Sequence, residues 1–300
     1  MNNLIHSSFK HYCMTLALIA LIATPVITKA KEQQVDIVTY PWIEGGFKVD
    51  DYYIALLKLV LENSKDKFGE YELIKAEFPM FQNRVVSEIK QNRGLVNILW
   101  TKTSIQREQV LAPIRYPLLR GLGAYRIALI HKDNKLKFSS LTSEKSLRHL
   151  LAGQGVSWPD SLILQDNNYS LLEVPGHESL FKMLSSKRFD YMPRALNEAW
   201  DEAEMFPNLI VDTNFAIHYP APYYFFVNIN NNRLIERLEY GFRISEENGS
   251  FKALFDTHES TREALLRADL PNRKIFWLTN NFLSPETKKV MEQHKGDFTK

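Results

Sequence analysis

A chain of 300 residues with 45% hydrophobic and 24% charged side chains has a globular composition, which excludes a disordered or fibrous protein. That length is enough for one large or two ordinary domains with full cores. The formal charge of +2 belongs to Lys10 and Lys29, so the chain from residue 31 onward balances to zero and lacks the basic footprint of a nucleic-acid binder.

Residues 1–30 read as a secretory signal peptide. Lys10 lies in a weakly basic start, Met14 to Ala23 form an apolar run, and Thr28 and Ala30 put small residues at both cleavage-site positions. The run is shorter than the roughly 20 residues a membrane-spanning helix needs. Cys13, the single cysteine, precedes the run, where it is not placed for the acylation of a lipoprotein, and it leaves with the signal. The exported chain is then held by its hydrophobic core, without thiols or disulfides.

The first predicted strand is Val35 to Val38, followed by a turn-rich loop carrying Tyr40 and Trp42. Asp50 or Asp51 caps a helix in which Tyr53, Leu56, Leu57, Val60 and Leu61 share one face. A strand over Tyr71 to Ala76 and a helix around Phe81, Val85, Val86 and Ile89 come next, then a strand in Val96 to Trp100. Such alternation marks a parallel sheet covered by helices. From Gly121 a β-type run, GLGAYRIALIHKD, opens a second alternation. It has helices over SEKSLRHLLAG, near Asp160 and over HESLFKMLSSKR, and strands near GQGVSW, in YSLLEV and at FDYM. A long β-prone stretch broken by Pro220 and Pro222 follows, and the remainder is read as mostly helical. Two crossings, near 121–130 and 214–228, return the chain to the lobe in which it began. The expected divisions are lobe 1 over 31–122, lobe 2 over 123–222, and a lobe 1 return with C-terminal helices over 223–300.

One stretch concentrates polar chemistry. Val96 to Arg107 (VNILWTKTSIQR) is an apolar strand, then Thr101, Thr103 and Ser104, then Arg107. At the carboxyl end of a parallel strand, such hydroxyls and a planar guanidinium fork fit a small carboxylate. The same residues would equally serve as a strand end whose hydroxyls cap the next helix.

The stretch NILW-TKTS-Arg107, the element order from residue 35, GQGVSWPD at the start of the second sheet, and KRFDYMPRALNEAWDE late in it resemble the type II periplasmic binding proteins, specifically solute-binding family 3. The resemblance runs from about residue 35 to 260. It implies an α/β, two-lobed fold, each lobe a mostly parallel sheet covered by helices, the lobes joined by two hinge crossings. It also implies a periplasmic protein without a cofactor, a monomer, that closes on a small polar, carboxylate-bearing ligand and serves an inner-membrane permease or sensor protein. By resemblance, Arg107 with Thr101 and Thr103 would clamp a carboxylate. Arg194 stands near the position where amino-acid binders carry an acid. If it faces the cleft, a dianion or second carboxylate is favoured; otherwise it pairs with Glu198 or Asp201 on the next helix. Tyr40, Trp42 and Trp158 are candidates to stack on the ligand or to pack the core, and Asp160 reads as a helix cap.

No catalytic or metal constellation stands out. The histidines are scattered without an i, i+4 pair, and no phosphate loop or nucleophile elbow occurs. Two other readings stay open: a dehydratase-like enzyme of the same fold, which would need a cleft acid or base with a shifted pKa, and a sensory or partner-binding module without a ligand.

Overall fold

The computed structural model describes residues 35–43, 49–156 and 158–294; the signal peptide expected over 1–30 lies outside them. The first half of the chain runs β1 (Asp36–Ile43), α1 (Val49–Glu62), α2 (Lys65–Phe68), β2 (Tyr71–Met80), α3 (Gln82–Gln91), β3 (Ile98–Lys102), α4 (Ile105–Glu108) and β4 (Ala112–Ile114). There follow β5 (Tyr125–His131), α5 (Lys135–Ser139), α6 (Glu144–Arg148), β6 (Ala152–Gly155), α7 (Pro159–Asp166), β7 (Leu171–Val174), α8 (His177–Ser185), β8 (Tyr191–Ala195), α9 (Ala199–Glu204), β9 (Leu209–Val211) and β10 (Phe215–His218). The chain closes with β11 (Tyr223–Val227), α10 (Asn232–Glu247), α11 (Ser250–Thr257), α12 (Glu259–Ala268), β12 (Lys274–Trp277) and α13 (Pro285–Gln293).

These strands build two lobes. In the first, β1 and β2 pair in parallel, and β11 pairs antiparallel with both β3 and β4. Asn97 joins the two parts. Its backbone N–H donates to Thr39 O at 3.0 Å, its side chain accepts from Thr39 N at 2.8 Å, and its amide donates to Ile37 O at 2.7 Å. The second lobe has strand order β12-β10-β5-β8-β6-β7, with β9 on β5. Here β6 runs parallel to β7 and β8, while β5 is antiparallel to β8, β9 and β10. Parallel ladders therefore come from the strand-helix-strand units read in the sequence. The antiparallel ones come from β5 and β11, the strands that enter a lobe straight after a crossing.

Helix α1 shows why the first lobe holds. Tyr52, Tyr53, Leu56, Leu57, Val60 and Leu61 are all buried, as helical spacing places them, and each such side chain contributes on the order of 1.5–3 kcal/mol. α10 packs against it at Gly241, where a Cβ would stand 2.0 Å from Val60 O, so only glycine permits the approach. The fully buried Arg237 of α10 then ties the helix to the first strand: it donates to Asp36 Oδ2 at 2.6 Å, Ser64 Oγ at 2.9 Å and Gly69 O at 2.6 Å. Among the described residues, no helix is long and apolar enough to cross a membrane.

The C-terminal segment adds a strand to the mostly helical tail read in the sequence. After α12 it crosses again and lays β12 parallel to β10, with Lys274 opposite Phe215 on the second-lobe sheet. Four residues between helices are too few to show a period, which is why this strand was missed. The segment then returns to the first lobe. Asn280 donates to Pro220 O, Ile105 N donates to Phe282 O, and the Ser284 and Thr287 hydroxyls donate to Glu108, each at 2.8 Å.

Candidate functional site

A cavity of about 640 Å³ lies between the lobes. Its walls are the carboxyl ends of β3, β6, β7 and β8 and the first turns of α1, α3, α7 and α8, the usual ligand-binding edge of an α/β sheet.

Asp160, in the first turn of α7, carries the densest network. Its carboxylate accepts from Lys102 Nζ across the lobes, from Arg126 Nε at 2.9 Å and from the Tyr219 hydroxyl. All four side chains are buried. Burial disfavours the charge of Arg126, yet the Asp160 carboxylate outweighs it and raises the Arg126 pKa well above its ordinary value. Asp160 is thus not the expected N-cap, a position held by Trp158. It is an inter-lobe anchor.

Arg194 lines the cavity, and it is neutralised there. Glu202 takes its guanidinium through two oxygens, and Glu198 lies 2.7 Å from Nη2. Burial opposes its charge, but Glu198 and Glu202 hold its pKa above the ordinary arginine range. The expected partner Asp201 is replaced by Glu202, and the case for a dianion, which needed a second uncompensated arginine, does not hold. The Arg194 guanidinium also stacks 5.0 Å from the Trp158 ring. Trp158 lies so close to β6 that a Cβ on Gly155 would come within 2.3 Å of its ring.

Asp50 is the opposite case. It lines the cavity from the start of α1 and accepts from Trp100 Nε1 at 2.9 Å. Burial pushes its pKa up to about 6, against that hydrogen bond, and the charges of Glu198 and Asp51 add to the rise. Beside it stands an aromatic wall: Tyr53 stacks on Trp100 at 5.7 Å and on Tyr223 at 5.8 Å.

The carboxylate clamp read in the sequence is only partly assembled. Thr101 lines the cavity. Arg107 stands behind it, giving its guanidinium to Thr101 Oγ1, Lys102 O at 3.1 Å and Gln82 Oε1 at 3.2 Å. These acceptors are neutral, and burial pushes the Arg107 pKa down to about 10. Thr103 turns away, its hydroxyl donating to Glu108, because Glu108 gathers donors from α13 and Arg115. Tyr40 packs 6.0 Å from Trp100, and Trp42 lies under Lys75 at 4.2 Å; neither lines the cavity. Four site residues went unselected in the sequence. Lys102 was hidden among hydroxyls, Glu202 in an acidic helix, and Asp50 was read as a cap. Arg126 had a usable signal, as a lone charge inside an apolar strand needs a buried partner. Among the described residues, no group of three or more His, Cys, Asp or Glu is placed to hold a metal ion.

No protein-family model matches the sequence, and no curated protein matches it either. Solved structures do. An ancestral arginine-binding protein bound to glutamine superposes with a TM-score of 0.57 at 13% identity, covering 76% of this chain and 99% of that one. A histidine kinase sensor domain with similarity to periplasmic binding proteins gives 0.53 at 16% identity, covering 74% and 94%. The GluR0 ligand-binding core from Nostoc punctiforme in complex with L-glutamate gives 0.52 at 17% identity, covering 75% and 99%.

The chain has the type II periplasmic binding protein fold.

The resemblance read from sequence thus holds at the level of the fold. In this periplasmic binding protein fold the lobes meet across the cavity, and the Lys102–Asp160 ion pair joins them directly.

Proposed function

We propose that the protein is an exported solute-binding protein of family 3 that captures a small amino-acid-like solute in the inter-lobe cavity. The observation that carries this reading is Asp50, a half-buried carboxylate facing the cavity with a hydrogen bond and, among the described residues, no ion pair. A solute ammonium would supply the missing charge and pack on the Tyr53, Trp100 and Tyr223 rings. The solute carboxylate would then lie toward Thr101 and Gln82, with the Arg107 charge behind them. This keeps the carboxylate-bearing ligand expected from sequence and replaces the dianion with a zwitterion. The arginine, glutamine and glutamate named with the neighbouring structures are of that class.

A thermal-shift screen of the purified protein against amino acids, dicarboxylates, amines and oligopeptides tests this. A cognate solute at 100 times its Kd adds about 2.7 kcal/mol. Stabilisation by amino acids and not by dicarboxylates supports the reading; none by any small solute overturns it and leaves a partner-binding module. A second reading has one observation in its favour: Asp50, poised near 6, is suited to general-base chemistry. Turnover of a bound solute, lost in Asp50→Asn, would establish an enzyme instead.

A further inference from the structure

The inter-lobe cavity holds more room than its charged end uses. Its volume of about 640 Å³ equals that of about 21 waters, whereas glutamine has only about ten heavy atoms. The groups that would hold an ammonium and a carboxylate follow one course along the first lobe. Asp50 meets Trp100, Thr101 follows Trp100 in β3, and Arg107 links Thr101 to Gln82. One residue beyond Gln82 the lining changes character.

Phe81, Val156 and Pro175 are exposed there, and the buried Val174 completes the wall. These residues form one patch. Val156 N donates to Val174 O at 3.2 Å, which sets Val156 beside Val174 and Pro175, and a Cβ on Gly176 would stand 3.9 Å from the Phe81 ring. Phe81 comes from the first lobe and the other three from the second. Phe81 is 56% exposed and Val156 45%, while Tyr53 and Trp100 at the Asp50 end are 2% and 4% exposed. Apolar packing is therefore complete at one end of the cavity and open at the other.

The charged residues next to the patch in sequence are already matched. Arg84 lies 3.7 Å from Glu88, Glu178 2.7 Å from Lys182, and His177 3.4 Å from Glu202. A solute side chain like that of arginine or glutamate meets no uncompensated charge among them, whereas an apolar group would take Phe81 and Val156 out of water.

We propose that this end of the cavity takes a large apolar arm of the solute, an aryl or branched alkyl group held between Phe81 on one lobe and Val156 and Pro175 on the other. The inference rests on the amino-acid-like reading above and narrows it to amino acids with large apolar side chains. Because the arm touches both lobes, its binding favours their present arrangement.

The test is calorimetric titration of the purified protein with tryptophan, phenylalanine and leucine against alanine, glutamine, glutamate and arginine. Phenylethylamine and phenylpropanoate, each lacking one of the two charged groups, are titrated alongside. The variants are Phe81→Ser and Val156→Ser; both side chains are exposed enough for the variants to fold, which melting curves check. The expected result is that the best apolar amino acid binds at least about tenfold tighter than alanine and glutamine, and that Phe81→Ser removes most of that preference. Alanine, glutamine, glutamate or arginine binding as tightly as the apolar amino acids would overturn the inference and leave the amino-acid reading standing. An apolar preference unchanged in both variants would also overturn it, by placing the arm elsewhere. Binding of phenylethylamine or phenylpropanoate, lost in Phe81→Ser, with no amino acid bound would uphold the apolar subsite and overturn the amino-acid reading. Binding of none of these solutes would overturn both.

Discussion

Asp160 and Asp50 occupy the same cavity, each in the first turn of a helix, and their surroundings are opposite. Asp160 is met by Lys102, Arg126 and Tyr219, so its charge is fully compensated within the protein. Asp50 receives one indole N–H, and burial leaves it with a pKa of about 6. A compensated buried charge holds lobes together; an uncompensated one is a cost that a ligand can relieve. The pair therefore separates architecture from recognition within one cleft, and each substitution below acts on one side of that division.

The largest effect belongs to the anchor. Asp160→Ala leaves Lys102 and Arg126 buried without their acid, and urea unfolding is expected to show a loss of about 3–5 kcal/mol. A loss under about 1 kcal/mol would mean the network is incidental.

Asp50→Asn is expected to act in the other direction. Removing a carboxyl shifted from 3.8 to about 6 should make the free protein more stable at pH 7 by about 2–3 kcal/mol, while weakening solute binding. The linkage has a definite sign. Between pH 4 and 6, roughly, folded Asp50 keeps a proton that the unfolded chain has released, so its contribution is full below that window and lost as the pH rises through it. Stability curves of wild type and Asp50→Asn against pH should therefore diverge upward from about pH 4 and run parallel above about 6. Curves that stay parallel throughout would show that Asp50 is not desolvated in solution.

Glu108→Gln tests the strap rather than the cleft. Glu108 accepts from Thr103, Arg115, Ser284 and Thr287, and hydrogen bonds to its charge, set against its burial, hold its pKa below the usual carboxylate range. The variant should lose about 1.5–3 kcal/mol, with faster amide exchange over residues 278–290 and little change in the cleft. Trp158→Leu should cost least, about 0.5–1 kcal/mol from the lost stacking of Arg194, read from the melting temperature.

The architecture was legible because periodicity survives in long elements. The face Tyr53, Leu56, Leu57, Val60, Leu61 and the strand before Thr101 carried it, and a resemblance in element order supplied the two lobes. The site was legible only where a residue type forces a role. Thr101 and Trp158 line the cavity, and Arg194 lines it already paired. Arg107 and Thr103 illustrate the limit, since strand-end spacing placed them near the cleft but could not reveal Gln82 or Glu108 as competing partners. Pairing across lobes, as between Lys102 and Asp160, leaves no trace in local sequence because the partners are 58 residues apart.

The most direct test of the account is the proton balance of binding. With the amino acid giving the largest thermal shift, calorimetric titrations near pH 6 in two buffers of different ionisation enthalpy count protons exchanged per solute. The account predicts that a solute ammonium ionises Asp50 and releases a fraction of a proton in wild type, and that Asp50→Asn, at whatever residual affinity, releases none. Binding without proton release in wild type, or the same release from Asp50→Asn, would contradict it.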